Sequence, residues 1–174
     1  TWTAPFVMAG INTKVVRRSH ALLGYPYGRD FRYREATMMG PKRSNWLKAN
    51  MMTAGLGFFV TAASFNFSRG MLERFVVPKP GEGPNQQQRE TGFFDLRQFG
   101  ELPDGTFIRT RITGDRDPGY GSTSKMLAEC GVCLAKNSLS SGSGVLTPAA
   151  AMGAALLERL QANAGLSFEV LDQS

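Results

Sequence analysis

A chain of 174 residues that is 42% hydrophobic and 20% charged can fill one domain with a core, and that composition excludes wholesale disorder. Its net charge of +6 is uneven: residues 1–50 hold nine basic side chains (Lys14, Arg17, Arg18, Arg29, Arg32, Arg34, Lys42, Arg43, Lys48) against Asp30 and Glu35, while the rest holds eleven against twelve. Such a basic first third suits a phosphate, an acidic protein or an anionic membrane surface, with a solvated face as the plain alternative.

The start at Thr1, without an initiator methionine or a signal-peptide layout, reads as a processed, truncated or partial piece. With only two cysteines, a reducing, cytoplasmic setting is the default, and the membrane periphery is the second possibility.

From Ala4 to Leu23, Val7, Met8, Ile11, Val15 and Leu22 form a helical stripe, with Lys14, Arg17 and Arg18 off it and Gly24 as the stop. The segment GYPYGRDFRYRE reads as a turn running into a strand near 30–38, with Tyr25, Tyr27, Phe31 and Tyr33 interleaved with arginines. That pattern can stack on bases, but no nucleic-acid-binding motif accompanies it, so an amphipathic strand and no nucleic-acid partner are expected. After Gly40-Pro41, Ser44 or Asn45 can cap a long helix whose stretch Ala49 to Ser68 holds no charge. A buried central helix is the first reading of it, an interfacial or membrane-docking helix the second and a bilayer span the third. Basic residues at both ends give no orientation.

Pro78 to Glu90 reads as a polar, mobile loop. Gly92 to Leu102, the turn Pro103-Asp104-Gly105 and a strand from Thr106 make a hairpin. In that second strand Phe107, Arg109, Arg111 and Thr113 alternate with Ile108, Thr110 and Ile112. The loop Gly114 to Gly121 leads into a helix through Lys136 capped by Ser122 or Thr123, and a glycine-rich turn at a helix start can offer N–H groups to an anion. Cys130 and Cys133 form a CxxC two turns inside that helix. This is the wrong place for a dipole-activated redox pair, and no second Cys or His pair completes a metal site, so buried packing is expected. Thr147-Pro148 opens an alanine-rich helix with Met152, Leu156, Leu157 and Leu160 on its buried face, Gly165 ends it, and LSFEVL is the last strand.

These elements predict an α+β fold: one mixed, largely antiparallel sheet from strands near 30–38, 92–101, 106–113 and 166–171, covered by about four helices in a single domain over 1–174. The loops 114–121 and 140–146 both deliver helix starts and would frame a site if they open on one side. Gly119 and Gly121 begin a GxGxxG, but Ser124 stands at its third glycine, and GxxxxGK[ST] also fails, so no dinucleotide fingerprint is read.

The runs APFVMAGINTKVVRRS, ALLGYPYGRDFRYRE, VPKPGEGP, GDRDPGYGSTSKMLAE and GVLTPAAAMGAALLERL are similar to the carboxy-terminal part of saccharopine dehydrogenase-like oxidoreductases. The nearest branch is the bacterial one that includes trans-acting enoyl reductases of polyketide lipid synthesis. The resemblance implies an amino-terminal Rossmann domain, absent from this chain, that binds NADPH or NADH. It also implies an α+β domain, matched here, that closes over the cofactor and supplies substrate and dimer contacts. No catalytic residue carries over.

On this reading the chain is the substrate side of a reductase acting on an acyl chain, held in some cases on an acidic carrier protein. The run from Met51 to Phe67, with Phe58 and Phe59, would line the acyl site. Tyr25 and Tyr27 would donate to a carbonyl that Asn12 orients, and Gly119, Tyr120, Gly121 and Ser122 would touch a cofactor phosphate. Helix and turn packing is the plain alternative for all of these. The other functional class is a non-catalytic lipid- or membrane-associated module.

Overall fold

In the computed structural model, which describes residues 1–75 and 81–173, the chain divides into two units, Thr1–Glu82 and Gly83–Ser174. In the first unit, β1 (Trp2–Pro5) pairs antiparallel with β2 (Ala36–Gly40), Pro5 lying opposite Ala36. The chain joining them carries α1 (Ala9–Leu22). Its end is a Schellman closure: the Gly24 N–H donates to the Ala21 carbonyl at 3.1 Å and the Tyr25 N–H to that of His20 at 2.9 Å. This closure requires the left-handed backbone that Gly24 adopts at φ +76°.

α2 (Ser44–Ala63) lies on β1 and β2 and contacts α3 (Asn66–Phe75). With 100° between successive residues, α2 has two apolar faces. Ala49, Met52, Leu56, Phe59 and Ala63 fall together on the more covered side, where Ala49 is buried. Leu47, Met51 and Phe58 fall together on the opposite side and are exposed.

The second unit begins with α4 (Gln86–Thr91), held by a reciprocal cap in which the Asn85 side chain accepts from the Gln88 N–H at 2.8 Å and Gln88 Oε1 accepts from the Asn85 N–H at 2.9 Å. β3 (Phe94–Glu101), β4 (Phe107–Gly114) and β5 (Leu166–Gln173) follow in an all-antiparallel sheet ordered β3-β4-β5. In the hairpin turn the Leu102 N–H donates to the Thr106 carbonyl and the Thr106 N–H to Asp104 Oδ1, both at 2.9 Å. Helices α5 (Gly121–Lys136) and α6 (Pro148–Asn163) pack on each other, and the core lies between them. There Cys133, Met152 and Leu156 are buried against Cys130, Leu139, Ala155 and Leu160. Thr147 caps α6 through the Ala150 N–H, and Gly153, at φ +48°, breaks the helix one turn in.

The α+β class read from the sequence is the one observed, with differences inside it. Strand β2 runs over 36–40 rather than 30–38, and it pairs with residues 2–5 instead of joining the hairpin, so two sheets replace one. Six helices are present among the described residues because Gln86–Thr91, expected as loop, is helical and the long 44–75 segment is two helices. Pro78 to Pro80 of the expected loop lie outside the described residues.

α2 is not a buried central helix: only Ala49 is buried, because a two-stranded sheet and a ten-residue helix offer too little surface to enclose twenty residues. No helix among the described residues is long and apolar enough to cross a membrane.

Leu156→Ala removes a side chain from the α5–α6 core and is expected to cost about 2–5 kcal/mol in urea unfolding. The adjacent Leu157→Ala, at an exposed position, is expected to cost well under half of that.

Candidate functional site

The strand, loop and helix from β4 to α5 are tied at Asp117. Its carboxylate accepts three backbone N–H groups, those of Gly119 at 3.1 Å, Tyr120 at 2.8 Å and Gly121 at 2.9 Å. Its own N–H donates to the Arg89 carbonyl at 3.2 Å and its carbonyl accepts the Ser122 N–H at 2.8 Å. These bonds, that to Gly121 foremost, hold the Asp117 carboxyl below its ordinary range. A side chain at Gly121 would strike Arg116 Cβ and the Arg89 carbonyl oxygen, each 2.9 Å from where its Cβ would stand. Only glycine lets the α4 backbone close against this turn.

Beside the turn lies an open groove of about 520 Å³ whose walls include Arg89, Glu90, Arg116, Tyr120, Ser124 and Lys125, with Gly121 at its floor. Its cations are already engaged: Arg116 with Glu90 at 3.8 Å, Lys125 with Asp115, and Arg89 Nη1 with the Pro84 carbonyl at 2.9 Å. No residue of the 140–146 loop is among these walls.

A nicotinamide cofactor's pyrophosphate needs unclaimed N–H groups at a helix start. Here those of Gly119, Tyr120 and Gly121 are held by Asp117, and the buried Ser122 hydroxyl donates to the Arg116 carbonyl at 3.1 Å. The turn therefore does not fit a pyrophosphate cradle: the anion it could have received is its own aspartate. What it leaves toward a phosphate is the groove wall of Tyr120, beside three cations that already hold partners of their own.

The sequence-derived substrate residues fall in the first unit, on two separate elements. Asn12 sits on α1, and its Nδ2 donates to Glu35 Oε2 at 2.9 Å, while the Tyr33 hydroxyl donates to Glu35 Oε1 at 2.8 Å. Burial first, then the bond to Glu35 and its charge, push the Tyr33 hydroxyl up to about 12, so Tyr33 stays a donor.

Tyr25 and Tyr27 gather around His20, the chain's single histidine. Tyr27 stacks on its ring at 5.4 Å, Tyr25 meets it edge-on at 5.2 Å, and Phe31 lies at 4.9 Å. His20 Nε2 donates to the Gly28 carbonyl at 2.8 Å, and Nδ1 is buried with no hydrogen-bond partner among the described residues. Tyr25 holds φ +63°, a backbone that a tyrosine rarely adopts, and Arg29 lies over its ring at 4.7 Å. Neither the Tyr25 nor the Tyr27 hydroxyl has a hydrogen-bond partner among the described residues.

Phe58 and Phe59 are on α2, and as consecutive residues they point about 100° apart. His20 and Glu35 were missed from the sequence. The histidine's signal was its place one turn before an aromatic-rich loop.

Cys130 and Cys133 are free thiols facing the α5–α6 core, and burial raises the Cys130 thiol above its ordinary range, the opposite of an activated nucleophile.

Asp117→Asn is expected to lower the melting temperature at pH 7. Because the folded carboxyl titrates below the ordinary value of 3.8, its contribution is full above that value and is lost as pH falls through the lowered one. The gap between native and variant melting temperatures should therefore close in acid, as read by thermal denaturation from pH 7 to pH 2.

No protein-family model and no solved structure matches the chain. Among curated proteins, one from Mycobacterium tuberculosis, provisionally named a trans-acting enoyl reductase, is 46% identical over 97% of this chain and 41% of its own length. Proteins named trans-acting enoyl reductase from Mycobacterium ulcerans and Mycobacterium bovis are 39% and 38% identical, each over 91% of this chain and 39% of their own length. The chain is thus similar over nearly its whole length to proteins named trans-acting enoyl reductases, and it spans about two fifths of theirs.

Proposed function

We propose that residues 1–174 are the substrate-side and dimerisation region of an NAD(P)H-dependent, saccharopine dehydrogenase-like enoyl reductase. It would act in trans on an acyl chain, of polyketide or fatty type, carried by an acidic carrier protein. The observation that carries this reading is the 46% identity over 97% of the chain to a relative named for that activity. The cofactor supplies hydride and is held mainly by a Rossmann domain outside these residues; this chain shapes and polarises the substrate.

Reduction of an α,β-unsaturated thioester puts negative charge on the carbonyl oxygen, and a donor aimed there lowers the barrier. Tyr27 is the first candidate, since its hydroxyl is unclaimed and its ring is set by stacking on His20. Tyr25 is the second. Asn12 acts at one remove, through Glu35, in fixing the loop that carries both. Phe59, on the covered face of α2, is the acyl-lining residue, while Phe58 faces outward. Tyr120, between Gly119 and Ser122, offers its hydroxyl to a phosphate drawn to the groove by Arg89, Arg116 and Lys125.

The test is a chimera in which this chain replaces the matching segment of the Mycobacterium tuberculosis relative. The chimera is expected to oxidise NADPH when given an enoyl thioester on its carrier, and to quench NADPH fluorescence. The 174-residue chain alone should do neither. Tyr27→Phe in the chimera should lower kcat by roughly 10²-fold with KM little changed, the size expected for one lost oxyanion donor. Tight NADPH binding by the isolated chain, or a chimera that binds NADPH and leaves the enoyl thioester untouched, would sink the reading.

A further inference from the structure

Residues 1–82 hold twelve Lys or Arg against four Asp or Glu, a net +8, and residues 83–174 hold eight against ten, a net −2. The basic unit also carries most of the exposed aromatic and methionine side chains among the described residues. Along α3, Phe67, Met71 and Phe75 recur every four residues, so they form one stripe, and they are 84%, 52% and 74% exposed. Arg74 lies beside that stripe, its guanidinium 5.5 Å from the Phe75 ring centroid. Along α2 the stripe of Leu47, Met51 and Phe58 is exposed as well, and Lys42, Arg43 and Lys48 surround its amino-terminal end.

We propose that α2 and α3 dock this unit on an anionic lipid surface, with the two stripes entering the headgroup and acyl boundary and the basic side chains meeting lipid phosphates. Exposed aromatic and methionine stripes with basic flanks are the chemistry of an interfacial helix. The polar side chains along the charge-free run point the same way. Asn50 donates to the Trp46 carbonyl, Thr53 to that of Ala49, Thr61 to that of Gly57 and Ser64 to that of Val60, each at 2.8 Å, and Ser68 donates to Ala62 at 2.6 Å. These donors are satisfied within α2 and α3, so the run can meet an apolar boundary without leaving them unpaired. A polar, acidic protein face would instead call for donors turned outward. The charge of +8 favours net anionic headgroups over zwitterionic ones by attraction that salt screens.

The experiment is co-sedimentation of the 174-residue chain with vesicles of phosphatidylcholine alone and of equimolar phosphatidylcholine and phosphatidylglycerol. Binding is expected to the mixed vesicles, to weaken with added salt, and to be much lower on phosphatidylcholine. The double variant Phe67→Glu, Phe75→Glu should lower the partition coefficient by about a hundredfold, since each buried phenyl ring contributes on the order of a tenfold factor. Phe99→Glu, at an exposed position of β3, should leave it unchanged, and circular dichroism should show both variants folded as the parent is.

Absence of binding, equal binding to both vesicles, or full binding by the folded double variant overturns the proposal. So does a parent chain whose sedimentation-equilibrium mass is a dimer that the double variant splits, because a second copy then covers the stripes. The same assay on the chimera with the Mycobacterium tuberculosis relative completes the test: if the chain binds and the chimera does not, the rest of the longer protein covers these helices and the proposal fails.

Discussion

The Asp117 carboxylate is the interaction on which the second unit depends. Three N–H groups at the start of α5 converge on it, and its own backbone binds the Arg89 carbonyl of α4 and the Ser122 N–H. A helix start surrounded by glycines would otherwise leave several donors unpaired. With Asp117 in place, α4 is drawn against the turn, Arg116 and Tyr120 are turned outward, and the groove between them exists at all. The same bonds remove the turn from the list of places where a pyrophosphate could sit. One carboxylate thus decides both the shape of the surface and what that surface is unable to bind.

The first unit is built on a different principle. Among its described residues the buried side chains are Ala4, His20 and Ala49, none of them large and apolar, so hydrophobic burial supplies little there. Directed contacts take over around the end of α1. The Schellman closure at Gly24 turns the chain, His20 accepts the faces and edges of three aromatic rings, and Glu35 gathers the Asn12 amide and the Tyr33 hydroxyl. Tyr25 keeps its left-handed backbone because the closure on one side and His20 on the other fix it. Strain of that kind survives only where the surroundings over-determine it.

The second unit was largely legible in the sequence and the first was not. The alternation of Phe107 to Thr113, the Pro-Asp-Gly turn and the Thr147-Pro148 start are short-range signals, and the hairpin and α6 follow them. Cys130 and Cys133 on the inner side of α5 are where the period of the helix puts them. The cap of α4 escaped notice because it is written with Asn85 and Gln88 inside a run of glutamines that reads as loop.

In the first unit, the Trp2–Pro5 strand has no alternation to announce it and exists only through its partner thirty residues on. The burial of α2 was misjudged for a related reason. An uncharged helix says that something covers it in the end, not that the same stretch of chain does. The aspartate at the α5 turn has no signal of its own in the sequence: the glycines announce donors, and the acceptor two to four residues before those donors is one acidic residue in a loop.

Phe58 and Phe59 carry the last step. As neighbours about 100° apart they lie on opposite halves of α2: Phe59 with Ala49, Met52 and Leu56 on the side toward β1 and β2, and Phe58 with Leu47 and Met51 on the outer side, where it is 73% exposed. A single acyl site lined by both is therefore hard to build, whereas two roles for one helix follow directly. The inner row can support the substrate side while the outer row, continued in character by Phe67, Met71 and Phe75 of α3, meets whatever lies outside. Under the reductase reading proposed above, with an acyl chain too apolar for water as substrate, one helix facing both ways would shorten the distance over which that chain is handed across.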